Sequence, residues 1–270
     1  MLFRSQYAKF RYWLELDESL DLREPKKFTE KIQYLKLQGN AELRKKVADR
    51  KQVRDYVADK IGEKHLIPLL GIYEKLTEKI WQSLPEQFVL KANHGCGMVR
   101  IVTDKSSEDY EKIYHQTEKW KTFNYAKFGR EWIYESLPRT ILAEKLLLDE
   151  NNSIPEDYKF FCFNGRVELI QVDFNRFGNQ KRNLYNRDFE QQQATLLYPA
   201  YQKKIQKPHH LEQAIKIAEK LSSIFNFIRV DLFLLNDNIY FGELTNYPGN
   251  GFAPFKPDSF EYKMGSLLKL

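Results

Sequence analysis

Arg229, Asp231 and Glu243 supply what chemistry on a phosphate group requires: two carboxylates to hold a cation and a guanidinium to meet an anion. They fall in Arg229-Val-Asp231-Leu-Phe-Leu-Leu-Asn-Asp-Asn-Ile-Tyr-Phe-Gly-Glu243-Leu-Thr-Asn246-Tyr-Pro-Gly249. Val230, Leu232 and Leu234 alternate with other residues before Asn236-Asp237-Asn238, and Ile239 and Phe241 resume the alternation after it. That pattern predicts a hairpin in which Asp231 and Glu243 lie within one register of each other. Mg2+ takes oxygen ligands, keeps some of its waters and bridges nucleotide phosphates, so a carboxylate pair beside an arginine points to phosphoryl chemistry. Acids on the solvent face of a hairpin are also common and need no metal.

Two lysines and one further acid raise the same question. Lys91 ends the apolar run Phe88-Val-Leu-Lys91-Ala, just before Asn93-His94-Gly95-Cys96-Gly97-Met98. A glycine loop lets backbone N–H groups approach a phosphate, with the ammonium as an added point charge. The same two glycines would also serve a tight turn with positive φ. Lys159 interrupts the aromatic run Tyr-Lys-Phe-Phe-Cys-Phe, so its amine points either into a crevice or outward from the opposite face, outward being the commoner case. Glu144 sits within Ile-Leu-Ala-Glu-Lys-Leu-Leu-Leu. A carboxylate buried there without a partner would cost several kcal/mol, which implies a ligand, an edge position or a salt bridge with Lys145 or another base.

These residues need a scaffold of short strands. Thr29 and Glu30 open a helix running through Leu37, and apolar spacing at Val47, Val53, Tyr56, Val57 and Ile61 predicts one helix over 43–61 that Gly62 ends. Ile67–Tyr73 reads as a short buried strand, followed by a helix to Leu84 and a turn at Pro85. Strands follow at 88–92, 100–103 and 141–148, with helices over 106–137 between the second and the third. Asn164-Gly165 marks a hairpin joining 157–163 to 167–174. Residues 175–210 read as irregular and Arg-rich, and 211–225 as a helix with Ala214, Ile217, Ala218 and Leu221 on one face.

The chain has 270 residues, 42% of them hydrophobic, enough for one substantial core or two modest ones. A net charge of +6 favours anionic ligands, but Lys and Arg are dispersed and no aromatic-basic platform is present, which argues against nucleic-acid binding. Cys96 and Cys162 have no metal-ligand spacing and are expected to stay reduced. No apolar run approaches the roughly 20 residues of a membrane span, and no signal-peptide pattern is seen, so a cytoplasmic protein is expected. The aromatic and basic residues of Phe3-Arg-Ser-Gln-Tyr7-Ala-Lys9-Phe10-Arg-Tyr-Trp13 could lie at a membrane interface or pack on the main body.

The order of these features resembles an ATP-grasp domain: strand-Lys91-glycine loop-strand, strand-Glu144, strand-Lys159, then Arg229-x-Asp231 with Glu243. More narrowly the chain resembles the TupA-like ATP-grasp family, associated with teichuronopeptide and surface-polysaccharide synthesis. The likeness is carried by Asp49-Arg-Lys51 with Val53-Arg54-Asp-Tyr56 and Gly62, Leu90-Lys-Ala-Asn-His-Gly-Cys-Gly97, Asp157-Tyr-Lys-Phe-Phe-Cys-Phe-Asn-Gly165, and Arg229-Val-Asp231 with Gly242-Glu-Leu-Thr-Asn-Tyr-Pro-Gly249. The resemblance implies an α+β fold of two subdomains clasping a nucleotide: a mostly helical region 1–84, then a core 85–270 made of a glycine-loop part (85–140) and a metal-binding part (141–270). It implies ATP and Mg2+ as cofactors. Lys91, Asn93, His94, Gly95, Gly97, Glu144, Lys145 and Lys159 would lie at the nucleotide, Asp231, Glu243 and Asn246 at the metal, and Arg229 and Lys159 at the reacting groups.

The implied reaction transfers the γ-phosphoryl group to a carboxylate, and an amine attacks the acylphosphate. The substrates would be a sugar acid or an amino acid of a surface glycan. Two departures stand out. Thr245 occupies the place of the usual asparagine ligand, and Asn246 could replace it only if the strand bulges there. The 85 or so helix-rich residues before the lysine leave little room for the Rossmann-like domain of many relatives. The rival readings are a nucleotide-sugar glycosyltransferase, for which no Asp-x-Asp is present, and a binding protein with a degenerate nucleotide site. The sequence sets no oligomeric state.

Overall fold

Strands over 157–174 and 227–245 build the largest sheet, with 157–163 buried on both faces, and helical spacing around it supplies the cover. In the computed structural model the described residues are 2–175 and 178–270; Arg176 and Phe177 of the Arg-rich stretch, and the Leu2 and Phe3 side chains, lie outside them. The helices in chain order are α1 (Leu2–Leu16), α2 (Phe28–Gln38), α3 (Ala41–Ala48), α4 (Gln52–Ile61), α5 (Glu78–Ser83), α6 (Tyr110–Thr122), α7 (Tyr125–Gly129), α8 (Leu211–Ser222) and α9 (Asp258–Leu267). The strands are β1 (Leu69–Tyr73), β2 (Phe88–Ala92), β3 (Val99–Val102), β4 (Ile141–Lys145), β5 (Asp157–Phe163), β6 (Arg166–Phe174), β7 (Lys181–Tyr185), β8 (Thr195–Leu196), β9 (Phe227–Leu235), β10 (Asn238–Thr245) and β11 (Phe255–Lys256).

The chain divides into two compact units, Met1–Ala41 with Glu156–Leu270, and Glu42–Pro155. The helical region expected over 1–84 is thus split between them. In the first unit a sheet of order β10-β9-β5-β6-β7 runs antiparallel throughout, beside a small β11-β8 pair. Asn164 and Gly165 take φ values of 51° and 78°, which the two-residue turn between β5 and β6 requires. Helix α8 packs on β5, β6 and β9 through a buried stripe that includes Leu211, Ala214, Ile217, Ala218 and Leu221. Phe28 of α2 meets Phe161, Phe163, Phe227 and Phe255 at ring-centroid distances of 5.1 to 6.2 Å. The buried Glu261 of α9 accepts the Thr29 N–H at 2.7 Å, the Thr29 hydroxyl at 2.8 Å and the Phe255 N–H at 2.8 Å. These bonds tie the N-terminal segment to the C-terminal helix.

The second unit holds a sheet of order β1-β4-β2-β3, also antiparallel. Phe88, Leu90, Ile141 and Ala143 pack with Trp81, Ile113 and Trp120 in its core.

Four local expectations are corrected. The helix read over 43–61 is two, because the Asp49 carboxylate accepts the Lys51 and Gln52 N–H groups at 2.9 and 3.1 Å and breaks the chain before α4. β1 is a sheet-edge strand with Leu69 and Leu70 exposed, not a buried one. The strand read over 141–148 stops at Lys145. Within the stretch read as irregular, Lys181–Tyr185 forms β7, whose pairing with β6 no local pattern announces. Thr29 and Glu30 do open α2, with Glu30 turning back to accept the N–H groups of Lys26 and Lys27 at 2.7 and 2.9 Å.

Candidate active site

Cross-strand partners share a face of a sheet. In the first unit Lys159 on β5 pairs with Asp231 on β9, and Asp231 with Glu243 on β10, so the three form a row across three strands. Lys159 points inward, against the commoner outward expectation, and is only 4% exposed. Its ammonium donates to Asp157 and, at 2.8 Å, to Asp231 Oδ2. Burial alone would lower the lysine pKa, but Asp157 and Asp231 more than reverse this and hold it raised. Asp231, 2% exposed, also takes a fork from Arg229: Nε to Oδ1 and Nη2 to Oδ2, both 2.6 Å. Burial raises the Asp231 carboxyl pKa against the opposing pull of Arg229 and Lys159. Arg229 stays charged, since Asp231 and Glu243 outweigh the desolvation of its guanidinium.

Arg229 is the hinge of the arrangement. Its Nη2 also reaches Glu243 Oε1 at 3.1 Å and the Thr245 hydroxyl at 3.0 Å, and that hydroxyl donates to Glu243 Oε1 at 2.7 Å. The expected closeness of Asp231 and Glu243 is present, through a bulge between Phe241 and Glu243. Thr245 pairs in register with Arg229, and Asn246 is buried just past the end of β10. Thr245 is therefore the residue beside Glu243.

Asp157, Asp231 and Glu243 bring three carboxylates into contact with the two cations Lys159 and Arg229. Among the described residues no group of three or more His, Cys, Asp or Glu side chains could cage a metal. Two adjacent carboxylates, Asp231 and Glu243, fit Mg2+ in its common mode, where water and phosphate oxygens complete the shell.

The second unit carries its own charged cluster. Lys91 and Glu144 are diagonal neighbours on β2 and β4. Lys91 Nζ donates to Glu144 Oε2 at 2.7 Å and Arg54 Nη1 to Oε1 at 2.8 Å, while Arg54 Nη2 holds the Ile67 carbonyl at 2.8 Å. Glu144 is thus paired with these two bases and not with Lys145, whose side chain is exposed.

The loop after Lys91 is shaped by neighbours that local sequence patterns do not reveal. Arg50 lies in the break between α3 and α4. Its N–H donates to Asn93 Oδ1 at 2.7 Å, its Nε to the Ala92 carbonyl at 2.9 Å and its Nη2 to the Gly95 carbonyl at 3.2 Å. The two glycines serve different ends. Gly97 has φ of 76°, whereas a Cβ on Gly95 would stand 2.8 Å from the Cβ of Tyr125. Asn93 and His94 are turned inward: Asn93 Nδ2 donates to the Pro138 carbonyl at 3.3 Å, and His94 Nε2 lies 2.8 Å from the Trp120 carbonyl. A carbonyl only accepts, so Nε2 carries the proton, and burial lowers the imidazole pKa. Both side chains anchor the loop.

Sequence reasoning missed Asp157, Arg50 and Arg54 as members of these clusters. It also missed Gln171, the partner of Lys159 on β6, whose amide donates to Asp173 at 3.0 Å. Arg182 of β7 grips Asp173 through Nε at 2.5 Å and Nη2 at 3.1 Å, extending the polar row across the sheet.

The fold is that of the ATP-grasp proteins. It is similar to a D-alanine–D-alanine ligase from Bacillus anthracis at a TM-score of 0.50 and 14% identity, over 83% of this chain and 66% of that one. The corresponding figures for the D-alanine–D-alanine ligase of Helicobacter pylori are 0.43 and 15%, over 83% and 56%. For the D-cycloserine synthetase DcsG they are 0.46 and 12%, over 84% and 70%. The chain thus spans less than two thirds of the length of either D-alanine–D-alanine ligase. Among curated proteins none matches the sequence. Residues 30–269 match the family described as TupA-like ATPgrasp, and the chain belongs to that family.

Proposed function

We propose that this chain is an ATP-dependent carboxylate–amine ligase that works through an acylphosphate. The observation that carries the reading is the row Lys159–Asp231–Glu243 with Arg229 forked onto Asp231, a cluster of charged side chains on one sheet face in a chain of the ATP-grasp family. Lys91 would move from Glu144 to phosphate oxygens, and the backbone N–H groups of the 93–97 loop would add donors to them. Glu144, held in place by Arg54 when Lys91 leaves, would accept a hydrogen bond from the nucleoside. Asp231 and Glu243 would hold Mg2+, which when bound neutralises phosphate charge and orients the γ-phosphoryl group. Arg229 would stabilise charge on the acylphosphate and Lys159 charge on the nucleotide oxygens, so that catalysis rests on positioning and electrostatics.

The acceptor class follows from the family's link to surface polysaccharides: a sugar acid such as a uronate, or an amino acid, joined to an amine in the cytoplasm. The test is ADP and phosphate release from Mg-ATP across a panel of uronates and amino acids, each with and without amines. Release that requires both a carboxylate and an amine supports the ligase; UDP release from a nucleotide sugar, with none from ATP, overturns it.

Two variants probe the nucleotide end. Lys91→Ala is expected to weaken ATP binding measured by calorimetry, and an unchanged affinity would reduce the glycine loop to a turn. Arg50→Ala should weaken it about 10- to 100-fold without touching the Lys91–Glu144 pair, because a loop displaced by about 1 Å no longer presents its N–H groups correctly. Wild-type affinity in Arg50→Ala would show that the loop holds its shape unaided.

A further inference from the structure

Helix α1 packs on the first unit through the side that carries Ala8 and Tyr12. Ala8 and Tyr12 are buried against Leu16, Leu20 and Phe252, and the Tyr12 hydroxyl lies 2.7 Å from Thr29 Oγ1. The helix is therefore seated on the first unit by specific contacts. Its other side carries Tyr7 at 37% exposure, Phe10 at 59%, Trp13 at 54% and Leu14 at 65%. At 3.6 residues per turn these four fall within an arc of about 120°, which the exposed Gln6 shares between Trp13 and Phe10. The Phe10 and Trp13 rings stand 6.3 Å apart, centroid to centroid, within it.

Charge decides what such an arc meets. The exposed Lys9 lies just beyond Trp13 on one border, and Arg11 and the exposed Arg4 lie beyond Tyr7 on the other. The acid on the helix, Glu15, is engaged by Arg11 at 3.3 Å. An apolar centre of aromatic rings with basic borders on both sides matches the boundary between acyl chains and anionic headgroups, where rings sit at the interface and cations meet phosphate. A second copy suits it less well, since face-to-face packing of two such helices would set basic border against basic border.

We propose that α1 docks along its length on an anionic lipid surface, with Tyr7, Phe10, Trp13 and Leu14 inserted at the headgroup boundary and Lys9 and Arg4 on lipid phosphates. The inference stands on α1 alone and does not depend on the ligase reading. The test is flotation of the purified chain with vesicles of phosphatidylcholine containing phosphatidylglycerol, and with vesicles of phosphatidylcholine only. The chain should float with the anionic vesicles, not with the neutral ones, and be released by raised salt. The double variant F10S/W13S should lose at least about tenfold in vesicle affinity, with thermal unfolding unchanged because neither side chain is in the core. A Lys9→Glu variant should weaken binding to anionic vesicles alone. No flotation, equal flotation with both vesicle types, or F10S/W13S binding like the wild type would overturn the proposal. So would a wild-type dimer, seen by light scattering, that F10S/W13S dissociates, since the face would then belong to a second copy.

Discussion

Lys159→Met is expected to lower folding stability by about 3–5 kcal/mol, the range for removing one partner of a buried ion pair. The reason lies in what the substitution leaves behind. Asp157 and Asp231 are both buried, and both direct an oxygen at the lysine ammonium. Without it three carboxylates face the single guanidinium of Arg229. Because the pKa of Lys159 is raised in the folded protein, its contribution is fully present below the ordinary lysine value of 10.5 and is lost only as pH rises through the folded value. Urea denaturation at neutral pH reads the loss directly. The deficit should shrink when Asp157→Asn is added, as a double-mutant cycle would show. A loss under about 1 kcal/mol would mean that the carboxylates relax toward water and that the row is not the buried unit described.

Asp231→Asn and Glu243→Gln carry the second large effect. Each is expected to cut Mg-ATP-dependent ADP formation by at least about 100-fold, since even residues one step removed from a metal can cost 10- to 100-fold. The amide keeps the shape of the carboxylate but removes the charge that a hard cation and the Arg229 fork both use. Stability should separate the two. Asp231 is buried under Arg229 and Lys159, so its variant should also unfold earlier, whereas Glu243 is partly exposed and its variant should keep its melting temperature. Near-wild-type ADP formation in both variants would remove the metal from this face of the sheet.

Much of the site was legible because its elements are local. Alternation on either side of Asn236-Asp237-Asn238 placed Asp231 and Glu243 within one register of each other, the bulge between Phe241 and Glu243 sets them opposite, and Asn164-Gly165 placed the turn beside β5. What stayed hidden depended on partners far along the chain. Arg54 finds Glu144 across 90 residues, and Arg50 finds the Gly95 carbonyl across 45. No periodicity encodes such pairs. The inward turn of Lys159 followed from Asp231, 72 residues away, which supplies the charge that makes burial tolerable. The false continuity of α3 and α4 had the opposite cause: apolar spacing runs on across the break, and only the Asp49 carboxylate bonding forward to Lys51 and Gln52 interrupts it. Strand β7 is held by tertiary pairing and by the Arg182–Asp173 fork more than by its own residues.

On this reading Asp231 and Glu243 serve to bind a magnesium nucleotide. Calorimetric titration of the purified chain with ATP, with and without Mg2+, tests it most directly. A saturable one-to-one isotherm that requires Mg2+ and is lost or strongly weakened in Asp231→Asn is expected. Absence of binding heat with Mg-ATP, or an Asp231→Asn isotherm that overlays the wild type, would contradict it.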